Sequence, residues 1–217
     1  MLRAVLINSA VILIATTACA MDISVRQNGF PAVLATGAIE DGDAARLRIA
    51  LLKATRNDYG LKELYLNSPG GSVDEAFKMA ELIDRVGVFS VVGEAATCAS
   101  ACAMILFTSA KYRVVTKDGK LGIHTCYSAA SRKRDTECNE RIAEFAVDHG
   151  TAYGSIMAFA NAASSDEMMW FPKQSADCWG LTKYPEGQEP RGSGSCIVEV
   201  IQRYCRAKRS TDKCNPK

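Results

Sequence analysis

The chain has 217 residues, 48% hydrophobic and 23% charged, which suits one globular domain with a core of its own. Its formal net charge of +2 gives no basic footprint for nucleic acid, so that class of partner is excluded. Mixed-sign charge at this level keeps a surface solvated and identifies no ligand.

The N-terminal segment reads as a secretory signal peptide over residues 1–20. Arg3 supplies a positive start, Ala10 to Thr17 continue an apolar run, and Ala18-Cys19-Ala20 is a cleavage site of the A-x-A kind. The run is short for a membrane span and polar residues follow from Asp22, so no membrane attachment is expected after cleavage. Thr16 stands where a lipoprotein reading of Cys19 would want a different residue.

Ser24 to Ala38 alternates loosely around Gly29, Pro31 and Gly37 and predicts a strand or hairpin. Asp43 to Thr55 carries Ala44, Leu47, Leu51 and Leu52 at helical spacing. Leu61 to Leu66 is a strand that runs into Pro69-Gly70-Gly71, and Ser72 with Glu75 marks the start of a second helix by a capping-box pattern. Val86 to Val92 is β-rich, and Ala99 to Ser109 is apolar and small, as in a buried helix. Tyr112 to Val115 and Leu121 to His124 are strand segments separated by a turn at Lys117 to Lys120. Ser128 to Thr136 is a loop or helix start. Glu137 to Phe159 has a helical period broken at Gly150 and Gly154. Asp166 to Leu181 predicts a short turn and helix ending at Gly180, and Pro185 to Ser195 a linker. The expected organisation is an α/β domain over residues 21–184, with mainly parallel strands covered by helices, followed by a linker and cysteine-rich basic tail over 185–217.

Nine cysteines are present, and Cys19 leaves with the signal peptide. The remaining eight are an even count, which in an exported chain implies up to four disulfides and a periplasmic or secreted location. No C-x-x-C pair occurs, so neither a zinc motif nor another metal site is expected.

Two segments carry chemistry. In Asn67-Ser68-Pro69-Gly70-Gly71-Ser72, Pro69 fixes φ while the glycines allow positive φ and close backbone approach, so the turn can aim an N–H at an oxyanion or a peptide backbone. Read alone, it could equally be a strand-to-helix turn without a ligand. In Cys98-Ala99-Ser100-Ala101-Cys102 the serine has small neighbours that admit a substrate carbonyl, and the Ala101 N–H would be an unpaired donor at a helix start. Taken alone, Ser100 would read as a helix cap. His124, one of two histidines, is the natural base for a serine hydroxyl. His149, beside Asp148 in a helical stretch, reads as structural.

Three ordered motifs resemble the proteolytic subunit of the Clp protease. Leu64 to Val73 is similar to its strand and glycine turn. Cys98 to Ser109 resembles its serine helix, with Ser100 at the nucleophile. Tyr112-Arg113-Val114 through Leu121-Gly122-Ile123-His124 resembles the strand leading to its histidine. Trp179-Gly180-Leu181 adds a fourth point of likeness, and Cys-Ala-Ser-Ala-Cys in an exported chain looks most like a periplasmic Clp-protease-like branch. The resemblance implies a ClpP/crotonase fold of stacked β-β-α units and a serine peptidase. Ser100 would be the nucleophile, His124 the base, and Gly71 and Ala101 the oxyanion hole; Gly70 and Ser72 would flank a peptide bound as an added strand. It implies no cofactor, a peptide or unfolded protein as substrate, and association into homo-oligomers by analogy.

One position departs from the pattern. Counting back from Gly180 places Met168 where the family has its orienting aspartate, with Asp166 and Glu167 just before it. Asp166 is the candidate third member, Glu167 the second choice, and solvated helix-start acids the alternative. Cys98 and Cys102 would be too far apart for a relaxed disulfide at i,i+4 of one helix, and could pair only if the helix begins after Cys98. A bridge from this segment to Cys126 is therefore expected, with Cys196, Cys205 and Cys214 stapling the tail to itself or to Cys178. Two rival functions remain: a non-catalytic peptide-binding or scaffold protein on the same fold, favoured by Met168, and a crotonase-type acyl-CoA enzyme. Export away from cytosolic CoA and the Ser/His pair weigh against the latter.

Overall fold

The computed structural model describes residues 20–197 except 28 and 129. The expected signal peptide, apart from Ala20, and the tail with Cys205 and Cys214 lie outside these residues. No helix among them is long and apolar enough to cross a membrane.

The sheet order follows from where the glycine turns let the chain reverse or cross over. Strands β1 (Asp22–Val25) and β2 (Val33–Thr36) form the antiparallel hairpin expected from Gly29 and Pro31. From β2 onward the main sheet is parallel: β3 (Lys62–Asn67), β4 (Val88–Val92) and β6 (Tyr112–Val115) complete the order β1-β2-β3-β4-β6. A smaller sheet of β5 (Thr97–Ala99), β7 (Lys120–Ile123) and β8 (Met169–Pro172) stands beside it in the order β5-β7-β8. The helices are α1 (Asp43–Lys53), α2 (Val73–Val86), a π-helical α3 (Cys102–Phe107), α4 (Thr136–Asp148), α5 (Tyr153–Ala162) and α6 (Lys173–Cys178). The result is the mixed α/β architecture expected.

Alternation along β3 buries Leu64 and Leu66, which join Leu47 and Leu51 of α1 and Met79 and Ile83 of α2 in one core. Each such side chain contributes about 1.5–3 kcal/mol of burial. The capping box at α2 is only half formed. Ser72 Oγ accepts from the Glu75 N–H at 3.3 Å, but the Glu75 carboxylate turns away and accepts from the N–H groups of Gly42 and Ala44 at 3.0 and 2.9 Å, at the start of α1. Burial alone would raise the Glu75 pKa, yet these N–H groups and Lys78 hold it below the usual carboxylate range. One carboxylate thus ties two helices together.

Three differences from expectation have local causes. The helical run from Glu137 breaks only at Gly150, because Gly154 falls in the first turn of α5, where a glycine is tolerated. Residues Met169–Pro172 are a strand rather than turn or helix, since tertiary pairing with β7 overrides a short segment's own preference. The 185–195 segment is tied back to the domain: Gly194 donates to the Asp177 carbonyl at 2.9 Å and Gln188 bonds the Tyr59 hydroxyl.

Candidate active site

The chain leaves β3 through Ser68-Pro69-Gly70-Gly71 directly against the start of the serine segment. Ser68 donates its N–H to the Thr97 carbonyl at 2.7 Å and accepts from Ala99 at 2.9 Å, so the turn is sewn onto β5. A Cβ placed on Gly70 would lie 2.7 Å from both the Ala99 carbonyl oxygen and Ser100 Cβ, and 3.0 Å from the Ala101 nitrogen. The turn needs glycine there because it rests on the serine itself.

Ser100 does not cap a helix in the ordinary way. It is a non-glycine residue with φ of 55°, in the left-handed region, between β5 and α3. Such a conformation costs an L-residue about 1–2 kcal/mol and concentrates at functional sites. Its N–H donates to the Gly122 carbonyl at 2.9 Å and its own carbonyl accepts from Met104 at 3.0 Å, which fixes both ends of the elbow. The helix that follows is fully buried and π-wound; the Thr108 hydroxyl bonds the carbonyl five residues back, Ala103, at 3.0 Å. Ser100→Gly should therefore stabilise the fold by about 1 kcal/mol while removing the hydroxyl, measured as a rise in denaturation midpoint.

The end of the serine helix is held by Arg113, a residue whose role sequence reading did not find. Its buried guanidinium donates to the carbonyls of Thr108, Ala110, Leu181 and His149 and to the Thr151 hydroxyl. Burial pushes its pKa down to about 10, and the carbonyl ends of α3 and α4 supply the partial negative charge that a carboxylate otherwise would.

Parallel pairing of β5 with β7 sets Ala99 against Gly122 and brings His124 to the same end as Ser100. A groove of about 500 Å³ is lined by Gly70, Gly71, Ser72, Ser100, Ala101 and His124, with Met104 and Ile142 as its apolar floor. Every expected site residue except Asp166 lines it. Among the described residues neither the Gly71 nor the Ala101 N–H has a hydrogen-bond partner, as donors to an incoming oxyanion would require.

His124 is 7% exposed. Burial, and secondarily the Arg132 charge, hold its pKa below the ordinary histidine value, against an opposing contribution from the Thr125 backbone. The imidazole is therefore neutral at neutral pH. It should stay unprotonated below the usual histidine range and take up a proton only as the pH falls through the lowered pKa. Arg132→Gln removes a positive charge that opposes protonation, so the acid limb of a pH–rate profile should move upward.

The third position differs from expectation. His124 Nδ1 is buried without a hydrogen-bond partner among the described residues. Asp166 is exposed and paired with Arg132, whose guanidinium also lies 4.5 Å from the Tyr127 ring centre. Glu167 accepts from the Ser164 N–H at 3.1 Å at the surface. The antiparallel pairing of β7 and β8, Gly122 with Trp170 and Ile123 with Met169, ends there, and His124 and Met168 are the next residues beyond it on the two segments. The two-residue shift that would bring Asp166 there is not taken, because β8 is locked by its pairing with β7.

The cysteines pair locally. Cys98–Cys102 and Cys126–Cys138 are disulfides, which overturns the bridge from the serine segment to Cys126. The first is feasible because Cys98 lies in β5, so the two cysteines do not share a helix and their Cα atoms stand 5.3 Å apart. The second anchors the loop after His124 to α4, where buried Asn139 also accepts from the Cys126 N–H at 2.7 Å. Cys178–Cys196 ties the tail to α6, as one of the two expected arrangements had it.

No curated protein matches this chain. Residues 21–147 match the family model described as Clp protease, a span that takes in the glycine turn, Ser100 and His124 and ends before Asp166 and Met168. With more than half of its length matched, the chain belongs to the Clp protease family.

Proposed function

We propose that this protein is an exported serine peptidase of the Clp protease family. Ser100 Oγ attacks the scissile carbonyl, His124 accepts the hydroxyl proton, and the N–H groups of Gly71 and Ala101 receive the developing oxyanion. His124 then returns the proton to the leaving amine, and water repeats the sequence on the acyl-enzyme. The observation that carries this reading is the left-handed Ser100 at a strand-to-helix elbow in the same groove as a neutral histidine. The substrate is a peptide or unfolded chain lying along the Gly70-Gly71-Ser72 edge, over an apolar floor. Three disulfides support an oxidising compartment, periplasmic or extracellular.

A second reading has one observation in its favour. With His124 Nδ1 unpaired and Met168 at the third position, the groove could bind peptides without turning them over. A fluorophosphonate probe separates the two. Labelling of the oxidised protein that is abolished in Ser100→Ala is the expected result; a folded protein that binds peptide and takes no label belongs to the second reading.

A further inference from the structure

The segment Ala99-Ser100-Ala101-Cys102-Ala103 is small and helix-favouring, and by its own preference would start a helix upstream of the serine. The structure does otherwise: Cys98 and Ala99 stay in β5, Ser100 turns left-handed, and the helix begins only at the next residue. Among the described residues three non-glycine residues have positive φ, and of these Ala95 and Arg132 are exposed. Ser100 alone is set between two elements of the core, so something must oppose its local preference.

The Cys98–Cys102 disulfide does so by geometry. In a continuous helix these positions would hold their Cβ atoms about 6 Å apart, beyond the roughly 3.5–4.5 Å a disulfide spans. The bridge and an upstream-extended helix are mutually exclusive. Both cysteines are fully buried, so the link is part of the packed core rather than a surface staple. It is also the shortest of the three, with a sequence separation of 4 against 12 and 18. Closing so short a loop restricts the unfolded chain least, so its contribution to global stability is the smallest of the three and its effect is local.

We propose that the Cys98–Cys102 disulfide is the positioning element of the nucleophile: it excludes the helix that would absorb Ser100 and holds the serine left-handed, with the Ala101 N–H free. This rests on the assignment of Ser100 as nucleophile. It adds that the reactivity of the serine is set by a covalent link flanking it on both sides.

The test compares wild type with Cys98→Ala/Cys102→Ala, and with Cys178→Ala/Cys196→Ala as a bridge remote from the site. Two quantities are read: the backbone ¹³C shifts of Ser100, and the saturation kinetics of fluorophosphonate labelling. In the first variant the Ser100 shifts should move to right-handed helical values. The maximal labelling rate should fall at least tenfold, while the half-saturating probe concentration changes little. The remote variant should keep both. If the alanine pair does not fold, Cys98→Val/Cys102→Ser refills the buried volume and is read in the same way. Ser100 shifts that stay left-handed in a folded variant overturn the proposal whatever the labelling shows. So does failure of both variants to fold, which would make the bridge a general stabiliser. A wild type that takes no label while its Ser100 shifts respond as described overturns the hydrolase reading and leaves the positioning role standing.

Discussion

Met168→Asp should raise the rate of Ser100 modification by at least about tenfold, the largest gain expected from any single substitution in this chain. The β7–β8 pairing ends at Ile123 with Met169, so residue 168 and His124 are the next residues beyond it. On the same register, continued by one step, the two would share a face with Cβ atoms about 4.5–5.5 Å apart, within reach of a carboxylate for an imidazole nitrogen. The thioether now leans along β7, close enough that a Cβ on Gly122 would meet Met168 Sδ at 2.8 Å, and it offers His124 Nδ1 no strong acceptor. An orienting carboxylate fixes the tautomer and stabilises the imidazolium, and its loss from a complete triad costs about 10⁴ in kcat. Even a misplaced one should recover a part of that. The same charge favours protonated histidine, so the acid limb of the labelling profile should move up, opposite in sign to the present effect of Arg132. Met168→Leu is the comparison that changes packing without charge. A folded Met168→Asp protein with no gain in rate and no shift of the acid limb would show that residue 168 does not reach the imidazole.

Gly71→Ala should cause the largest loss of stability, about 3–5 kcal/mol. Gly71 has φ of 146°, and a Cβ there would stand 2.2 Å from the Ile39 carbonyl oxygen and 2.7 Å from the Ile39 nitrogen. Both are backbone atoms that cannot swing aside. Ile39 also donates to the Gly70 carbonyl at 2.8 Å and accepts from the Ser72 N–H at 2.9 Å, so relieving the overlap breaks the pairing that holds the turn. Against a net stability of about 5–15 kcal/mol for a typical domain, this is about a fifth or more of the total. It should lower Tm by about 10 °C at this chain length. Gly60→Ala is the control: Gly60 has φ of 71° but nothing within 4 Å of the added atom, so only backbone strain of about 1–2 kcal/mol remains. Equal losses at the two positions would mean that the Ile39 contact does not govern the turn.

What could be read from the sequence was whatever depends on near neighbours in the chain. The hairpin around Gly29 and Pro31, the α1 and α2 stripes, and β3 running into a glycine turn are local patterns, and the structure has them close to the expected bounds. The residues Gly70, Gly71, Ser72, Ser100, Ala101 and His124 were also legible, as ordered motifs, and they line one groove. Glu75 was legible only in part, because its capping pattern gave the helix start but its carboxylate was claimed by Gly42 and Ala44, more than thirty residues away.

The rest was decided by contacts between distant segments. That Met168 rather than Asp166 immediately precedes the partner of Ile123 depends on the register of β8, which no feature within residues 166–172 specifies and which pairing with β7 sets. Cys98 and Cys102 can join only with Cys98 outside the helix, in β5, a strand paired with β7 and bonded to Ser68, segments well apart from it in the chain. Arg113 was invisible as a structural anchor because its partners are carbonyls from three separate stretches of chain. The sequence by itself determined the family, the α/β order and the serine and histidine, since these reside in short-range spacing. Only the tertiary structure decided the left-handed state of that serine, the local pairing of the cysteines and the missing partner of the histidine, because each depends on a covalent link or a strand pairing that spacing in the chain does not specify.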